Sequence, residues 1–269
     1  MNEAHPFDAA IALAPQGEDR WLGQTSPAYA NMIGPYGGIT AAQALNAVLQ
    51  HPQRLGDPVA LTVNFAAALA DGAFDVHARA ARTNRSTQHW VVELRQGDET
   101  IITATVVTAV RREAWRGHEV VMPEAGRPLD VPRTLRRGVE WLQRYDMRFL
   151  EGKMPREWEG QGGDDSLSRL WVRDEPARPL DFAALAAMAD VFFPRIWLRR
   201  AKLIPLGTVS MTVYFHVDGA QLAQTGSGYL LVQARGQGFG GGFFDHSGQL
   251  WNEAGELLAT THQIVYHKE

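Results

Sequence analysis

The chain has no cysteine among its 269 residues. That removes disulfides, thiolate-bound zinc and a cysteine nucleophile at once. It also has no excess of basic charge. With 26 Lys and Arg against 30 Asp and Glu, the formal net charge is -4, so no broad positive field draws nucleic acid. No apolar run approaches the roughly 20 residues of a membrane span; Phe182 to Phe193 is shorter and carries Asp190. The opening residues, Met1-Asn2-Glu3-Ala4-His5-Pro6, lack the basic start and apolar centre of a signal peptide. The expectation is a soluble, cytoplasmic protein. The 9 His residues form no H-E-x-x-H and no i, i+4 pair on a helix, so no metal is expected. The absence of a Gly-x-Ser-x-Gly elbow removes an α/β-hydrolase. Gly236 to Gly242 is rich in glycine, but it precedes a strand and has no Lys-Ser/Thr follower. It reads as a flexible hairpin rather than a phosphate loop.

What is present is the composition of a folded soluble protein, 45% hydrophobic and 21% charged. Trp21-Leu22-Gly23 is a weak strand signal, and Gly34-Pro35-Tyr36-Gly37-Gly38 is a breaker. After it, Ile39 to Leu49 is a helix, with Ile39, Ala42, Leu45 and Leu49 at helical spacing. Strands are expected at Ala60 to Ala66, Phe74 to Ala81, Gln88 to Leu94 and Ile101 to Val110, separated by turn signals. Residues 111–135 read as a linker or crossover. Leu142 to Leu150 and Leu170 to Arg173 read as the next strands. The polar, glycine-rich stretch between them, Glu151 to Ser168, reads as a mobile loop. A second, almost wholly apolar helix is expected over 181–193 with Asp190 inside it. A short basic bend, Pro194 to Pro205, then leads into a strand, Gly207 to His216. Tyr229 to Arg235, Phe243 to Trp251 and Leu257 to Tyr266 complete the set.

The order of helix followed by antiparallel strands occurs twice, and parts of the two halves match by letter. Ala60-Leu61-Thr62-Val63-Asn64-Phe65 echoes Ser210-Met211-Thr212-Val213-Tyr214-Phe215. Phe74 to Arg79 echoes Leu230 to Arg235, and Gly97 to Thr105 echoes Glu253 to Thr261. Two copies of one α+β unit, a helix against a curved antiparallel sheet, would join into one pseudo-dimeric body whose sheets cover each other's edges. At three positions the copies differ chemically. Thr208 matches Pro58, Gln263 matches Val107, and Asp190 falls opposite Asn46 when the alanine-rich helices are aligned. One working site and one retired copy would look like this.

At this point the chain resembles the double-hotdog acyl-CoA thioesterases, the bacterial type II enzymes and their relatives. Pro35-Tyr36-Gly37-Gly38-Ile39 with Ala41 to Leu45 looks like the glycine pair that opens the first long helix. Leu185 to Asp190, followed by Pro194, looks like the second helix with its acid. Gly207-Thr208 to His216, Gly248 to Trp251 and Gly255 to Ala259 with Gln263 look like the terminal strands. The resemblance implies an α+β double hotdog, with an N-terminal unit at 1–118, a linker at 119–135 and a C-terminal unit at 136–269. It implies hydrolysis of acyl-CoA, or a related acyl thioester, by a water that Asp190, Thr208 and Gln263 activate. The expected partners are the acyl-CoA substrate and further copies of the chain, as a dimer of double hotdogs, in fatty acid metabolism. Loop 151–168 and the basic bend match nothing in the family pattern.

A thioester is already activated. Its hydrolysis needs a positioned water, a base, and donors where the carbonyl oxygen becomes negative. It needs no cofactor. Asp190 on an apolar helix would have its pKa raised by desolvation, which suits a base near neutrality. The plain alternative is a residue at the helix end that faces solvent or pairs with Arg195 or Arg199. Thr208 and Gln263 would hold the water; a Thr opening a strand and an edge-strand Gln facing water are the plain alternatives. Gly37 and Gly38 could present N–H groups that polarise the carbonyl, or simply form a tight turn. Arg82 and Arg85, flanking a turn, could meet coenzyme A phosphates or stand as solvated surface arginines. The rival functions are an acyl-CoA-binding hotdog without turnover, and a hotdog hydratase or dehydratase, whose short Asp and His motif is not found.

Overall fold

A computed structural model describes residues 4–134, 138–158 and 161–268. The first half opens with a short helix α1 (Pro6–Ala10) and strands β1 (Ala14–Pro15) and β2 (Arg20–Gln24). The long helix α2 (Gly37–Leu49) follows, then β3 (Asp57–Phe65), β4 (Ala73–Thr83), β5 (Thr87–Gln96) and β6 (Glu99–Ala109). The second half has β7 (Tyr145–Glu151), β8 (Ser168–Asp174), α3 (Phe182–Met188), α4 (Arg195–Arg200) and β9 (Leu206–Phe215). It ends with α5 (Gly219–Ala223), β10 (Leu230–Arg235), β11 (Phe239–Gly240), β12 (Phe243–Asn252) and β13 (Leu257–His267).

The strands form one sheet in the order β1-β2-β4-β5-β6-β3-β9-β13-β12-β10-β8-β7, with β11 beside β12. The order is palindromic about the β3–β9 seam, so each strand of one half has a counterpart in the other. Thr62 lies opposite Thr212 at that seam, with the two hydroxyls 3.0 Å apart. Both seam strands carry a bulge at the same place. Pairing skips from Pro58 to Ala60 in β3 and from Thr208 to Ser210 in β9. A bulge bends a strand and increases its twist. Placed twice, it curves the sheet around the two central helices.

Alanine at 41, 42, 44 and 47 lets α2 be buried on every side from Gly38 to Val48. Two polar residues of that helix are absorbed locally. Gln43 donates to the Ala10 carbonyl at 2.8 Å and Asn46 to the Ile11 carbonyl at 2.8 Å, so α1 is tied over α2. Each such bond contributes about 1 kcal/mol. Asp181 caps α3 by accepting from Ala184 N–H at 2.8 Å, a contribution of about 1 kcal/mol.

Several sequence expectations are corrected here. The helix expected over 181–193 is two helices. α3 stops at Met188, and Asp190 stands in the turn beyond it, where its N–H returns to Ala187 O at 3.1 Å. Pro194 then caps α4, so the expected basic bend is a helix over Arg195–Arg200 that ends on Ala201 in the left-handed region, φ 44°. The start of the strand expected from Leu142 is a 3-10 segment, Glu140–Arg144. Loop 151–168 is largely exposed where it is described, and it touches α4 at two points. Gly163 N–H donates to Leu198 O at 2.8 Å and Trp158 meets Trp197 edge to face at 5.4 Å.

Candidate active site

Four segments meet where α3 ends: the turn after α3, the start of α2, and strands β9 and β13. Asp190 Oδ1 accepts from Gln263 Nε2 at 2.7 Å. The backbone N–H of Gly38 also donates to this carboxylate. Oδ2 lies so close to the opening of α2 that a Cβ on Gly37 would stand 2.9 Å from it. At Gly38 a Cβ would stand 2.5 Å from Ala187 O. The two glycines are what allow the start of α2 to touch the end of α3. Tyr36, just before them, stitches the same junction. Its hydroxyl donates to Ala187 O at 2.6 Å, and its ring stacks on Trp141 with centroids 4.1 Å apart.

Thr208 does not touch Asp190. Its hydroxyl donates to Gln263 Oε1 at 3.4 Å, a long contact. With Oε1 receiving, the amide points its Nε2 at the carboxylate. The three residues therefore form a line, Thr208 to Gln263 to Asp190, rather than a ring around one point.

Burial pushes the Asp190 carboxyl up to about 7, and the hydrogen bonds from Gln263 and Gly38 offset part of that rise. None of the groups that set its pKa is cationic. Asp190 keeps a partial opening to solvent, yet the protein atoms packed around it make its surroundings those of an interior. A carboxylate so placed takes up and releases a proton near neutrality.

The structure brings together Asp190, Thr208, Gln263, Gly37 and Gly38. It separates others. Arg195, one of the partners the sequence offered to Asp190, is fully buried and donates to Phe193 O, Ser166 O and the Ser168 hydroxyl. Arg199 lies 5.7 Å from the centre of the Phe239 ring. Arg82 and Arg85 are exposed at the β4–β5 turn. That turn neighbours residues 53–55 beyond the far end of α2, through Gln88 and its bonds to Leu55 N and Gln53 O. Thirteen helical residues, roughly 20 Å, separate this end from the Gly37 end. Among the described residues no cluster of three metal-ligating side chains occurs.

The paired strands also correct one of the repeat alignments. Gln263 lies opposite Met211 on β9, and the matching partner of Leu61 on β3 is Val106, not Val107. One extra residue in the second hairpin shifts a letter-by-letter match. Counted from the C-caps Gln50 and Ala189, Asp190 takes the place of His51; counted from the N-caps Tyr36 and Asp181, it falls at Leu45, next to Asn46. Asp190 and His51 are each the first residue past a helix cap, with the N–H bonded three residues back at 3.1 Å. The two helices differ in length, so their two ends give different matches. The Thr208 and Pro58 pairing stands, because the two bulges coincide.

Two residues of the site carried no role in the sequence reading. Tyr36 sat unused within the Pro-Tyr-Gly-Gly breaker. His246, opposite Gln263 on β12 and buried with it, lies in the one long strand of the meander that was not compared between the halves.

The comparisons with known proteins agree with this architecture. Residues 26–109 match the acyl-CoA thioesterase N-terminal domain and residues 122–267 the acyl-CoA thioesterase C-terminal domain. No curated protein matches the chain significantly. Among solved structures, a conserved protein of unknown function with hot dog fold from Alicyclobacillus acidocaldarius is 44% identical. The match covers 99% of each chain with a TM-score of 0.94. The tesB protein of Mycobacterium avium subs paratuberculosis is 21% identical over 98% of each chain, TM-score 0.79. The acyl-CoA thioesterase II TesB2 of Mycobacterium marinum is 17% identical over 97% of this chain and 98% of that one, TM-score 0.76; at these identities the likeness is one of fold. The doubled helix-on-sheet body is a double hot dog of the α+β class, and the chain belongs to the acyl-CoA thioesterase family.

Proposed function

We propose that this protein hydrolyses acyl-CoA thioesters through a water activated by Asp190. One observation carries the reading. A carboxylate without a cationic partner among the described residues is held by an amide and a helix-start N–H, and its pKa is raised to about 7. A structural carboxylate is normally paired and pulled down. This one is kept as a base that is half ionised near neutrality.

In the proposed sequence the water gives a proton to Asp190 as its oxygen bonds to the thioester carbon. Gln263 holds the carboxylate in place, and Thr208 fixes which way the Gln263 amide points. Negative charge develops on the carbonyl oxygen. With Gly38 N–H committed to Asp190, the carbonyl-polarising role falls to Gly37 N–H and the positive end of α2. The tetrahedral centre collapses, the carbon–sulfur bond breaks, and the proton returns from Asp190 to the leaving sulfur. The products are the free acid and coenzyme A, and no covalent enzyme intermediate forms.

The test is thiol release from acyl-CoAs of graded chain length by the wild type and by Asp190→Asn. Hydrolysis by the wild type and a loss of at least about a hundredfold in the variant are expected. Equal rates would remove Asp190 from the mechanism, and binding of acyl-CoA without turnover would favour a carrier over an enzyme.

A further inference from the structure

The two halves of the sheet carry four equivalent inner positions with opposite chemistry. In the first half these are Trp90, Val92, Ala104 and Val106, paired as Trp90 with Val106 and Val92 with Ala104. In the second half the same registers hold His246, Gly248, Thr261 and Gln263, paired as His246 with Gln263 and Gly248 with Thr261. Four apolar residues have become three polar ones and a glycine. Gln263 is accounted for by Asp190. His246 and Thr261 are not.

Both are almost completely buried, at 2% and 3% exposure. Among the described residues, His246 Nδ1, His246 Nε2 and Thr261 Oγ1 have no hydrogen-bond partner. A buried polar atom left unpaired costs about 1–3 kcal/mol, so three in one patch need a reason. The other half shows where the patch faces. There Trp90 packs edge to face on His51, centroids 4.6 Å apart, and His51 holds the place past the helix that Asp190 holds here. Trp90 fills that space and His51 is tied to Asp19 at 2.9 Å. The imidazole of His246 is smaller than the indole, and Gly248 adds no side chain. Phe192, two residues past Asp190, lies over both. Its ring meets His246 edge to face at 5.8 Å, and its Cε2 would stand 3.1 Å from a Cβ on Gly248. The chain segment carrying the base thus roofs the patch.

We infer that His246 and Thr261 form a subsite next to Asp190 that hydrogen-bonds a hydroxyl on the acyl group close to the thioester carbonyl. The inference rests on the thioesterase reading above. A neutral imidazole offers one donor and one acceptor, and a threonine hydroxyl offers either, which matches a hydroxyl and leaves an alkyl chain with nothing to satisfy. Burial first, and then the charge of Arg195 and the neighbouring His262 ring, push His246 down to about 3, so it stays neutral wherever the enzyme works. Directly opposite positions on neighbouring strands lie about 5 Å apart, so a hydroxyl held here stays within a few bonds of the carbon that Gln263 and Asp190 serve.

The experiment compares kcat/KM for 3-hydroxybutyryl-CoA and butyryl-CoA in wild type, His246→Phe and Thr261→Val. Wild type is expected to prefer the hydroxyacyl substrate by at least about tenfold, and the ratio is expected to fall about tenfold in each variant. Thr261→Val keeps shape and volume, so it carries the test if His246→Phe fails to fold. A ratio near one in the wild type, or a ratio unchanged in both variants, overturns the subsite while leaving the thioesterase reading intact. If no thioester is turned over, that reading fails. Calorimetric binding of the two thioesters then decides the subsite alone. Tighter binding of the hydroxyacyl form that is lost in Thr261→Val sustains it, and equal binding overturns it.

Discussion

The Asp190→Asn variant separates a catalytic carboxylate from a structural one, because the two readings predict opposite signs for stability. Burial raises the Asp190 pKa from 3.8 to about 7, so the folded protein holds this proton to higher pH than the unfolded chain does. Stability from this group is fully present below 3.8 and is lost as pH rises through 7. The shift of about 3 pH units corresponds to a ceiling of about 4 kcal/mol at 1.36 kcal/mol per unit. Partial solvent contact at Asp190 screens the charge, and about half of that is a reasonable expectation. Asparagine keeps the shape and an oxygen for Gln263 and Gly38 but never ionises. The variant should therefore gain on the wild type as pH rises, by about 1–2 kcal/mol between pH 5 and pH 8, and level off above. Urea denaturation across that range measures the gap, and thiol release on the same samples should be lower by about 10²–10⁴. A gap that stays flat or reverses with pH would refute the desolvation argument. A stable variant with near wild-type turnover would refute the catalytic role. In the wild type, kcat/KM should climb about tenfold per pH unit below 7 and flatten above it, following the ionised fraction of Asp190.

Three further outcomes follow from the geometry. Gln263→Leu removes a donor that lowers the Asp190 pKa, so the inflection of the pH–rate profile should move above 7 with at least about a tenfold loss in kcat; an inflection that stays in place or falls contradicts the bond's role. Gly38→Ala would drive a Cβ to 2.5 Å from Ala187 O and against the Tyr36 ring, and should destabilise the protein by about 1–3 kcal/mol; thermal melts of equal midpoint would show that the helix junction can open. Arg82→Ala with Arg85→Ala should leave KM for acyl-CoA within about twofold, since exposed arginines roughly 20 Å from the base contribute little; a large rise in KM would place the coenzyme at that end of α2.

Much of the fold could be read along the chain. Two-residue alternation marked β4, β5, β6 and β13, and alanine-rich helical spacing marked α2, because side-chain direction within one element depends only on local geometry. The duplication was legible for a related reason, since Leu61-Thr62-Val63 and Met211-Thr212-Val213 meet the same neighbours and keep the same pattern. Where local signals conflicted, the reading failed. The apolar run from Phe182 to Phe193 has the hydropathy of one helix. The helix ends at Met188, where the Ala187 carbonyl accepts from the Tyr36 hydroxyl at 2.6 Å and the opening of α2 lies against it.

The candidate site divides along the same line. Asp190, Thr208 and Gln263 stood out in the sequence because each breaks the chemistry of its copy in the other half. The sequence by itself determined the doubled α+β body and the half in which the polar residues sit. Only the tertiary structure decided that Asp190 meets an amide 73 residues away and the opening of a helix from the other half, that Thr208 bonds Gln263 rather than Asp190, and that His246 lies in the place of Trp90. The physical reason is that pattern along a chain reports which face a residue takes. Which face meets which depends on sheet order, bulges and helix ends, and a shift of one residue in any of these exchanges the partner.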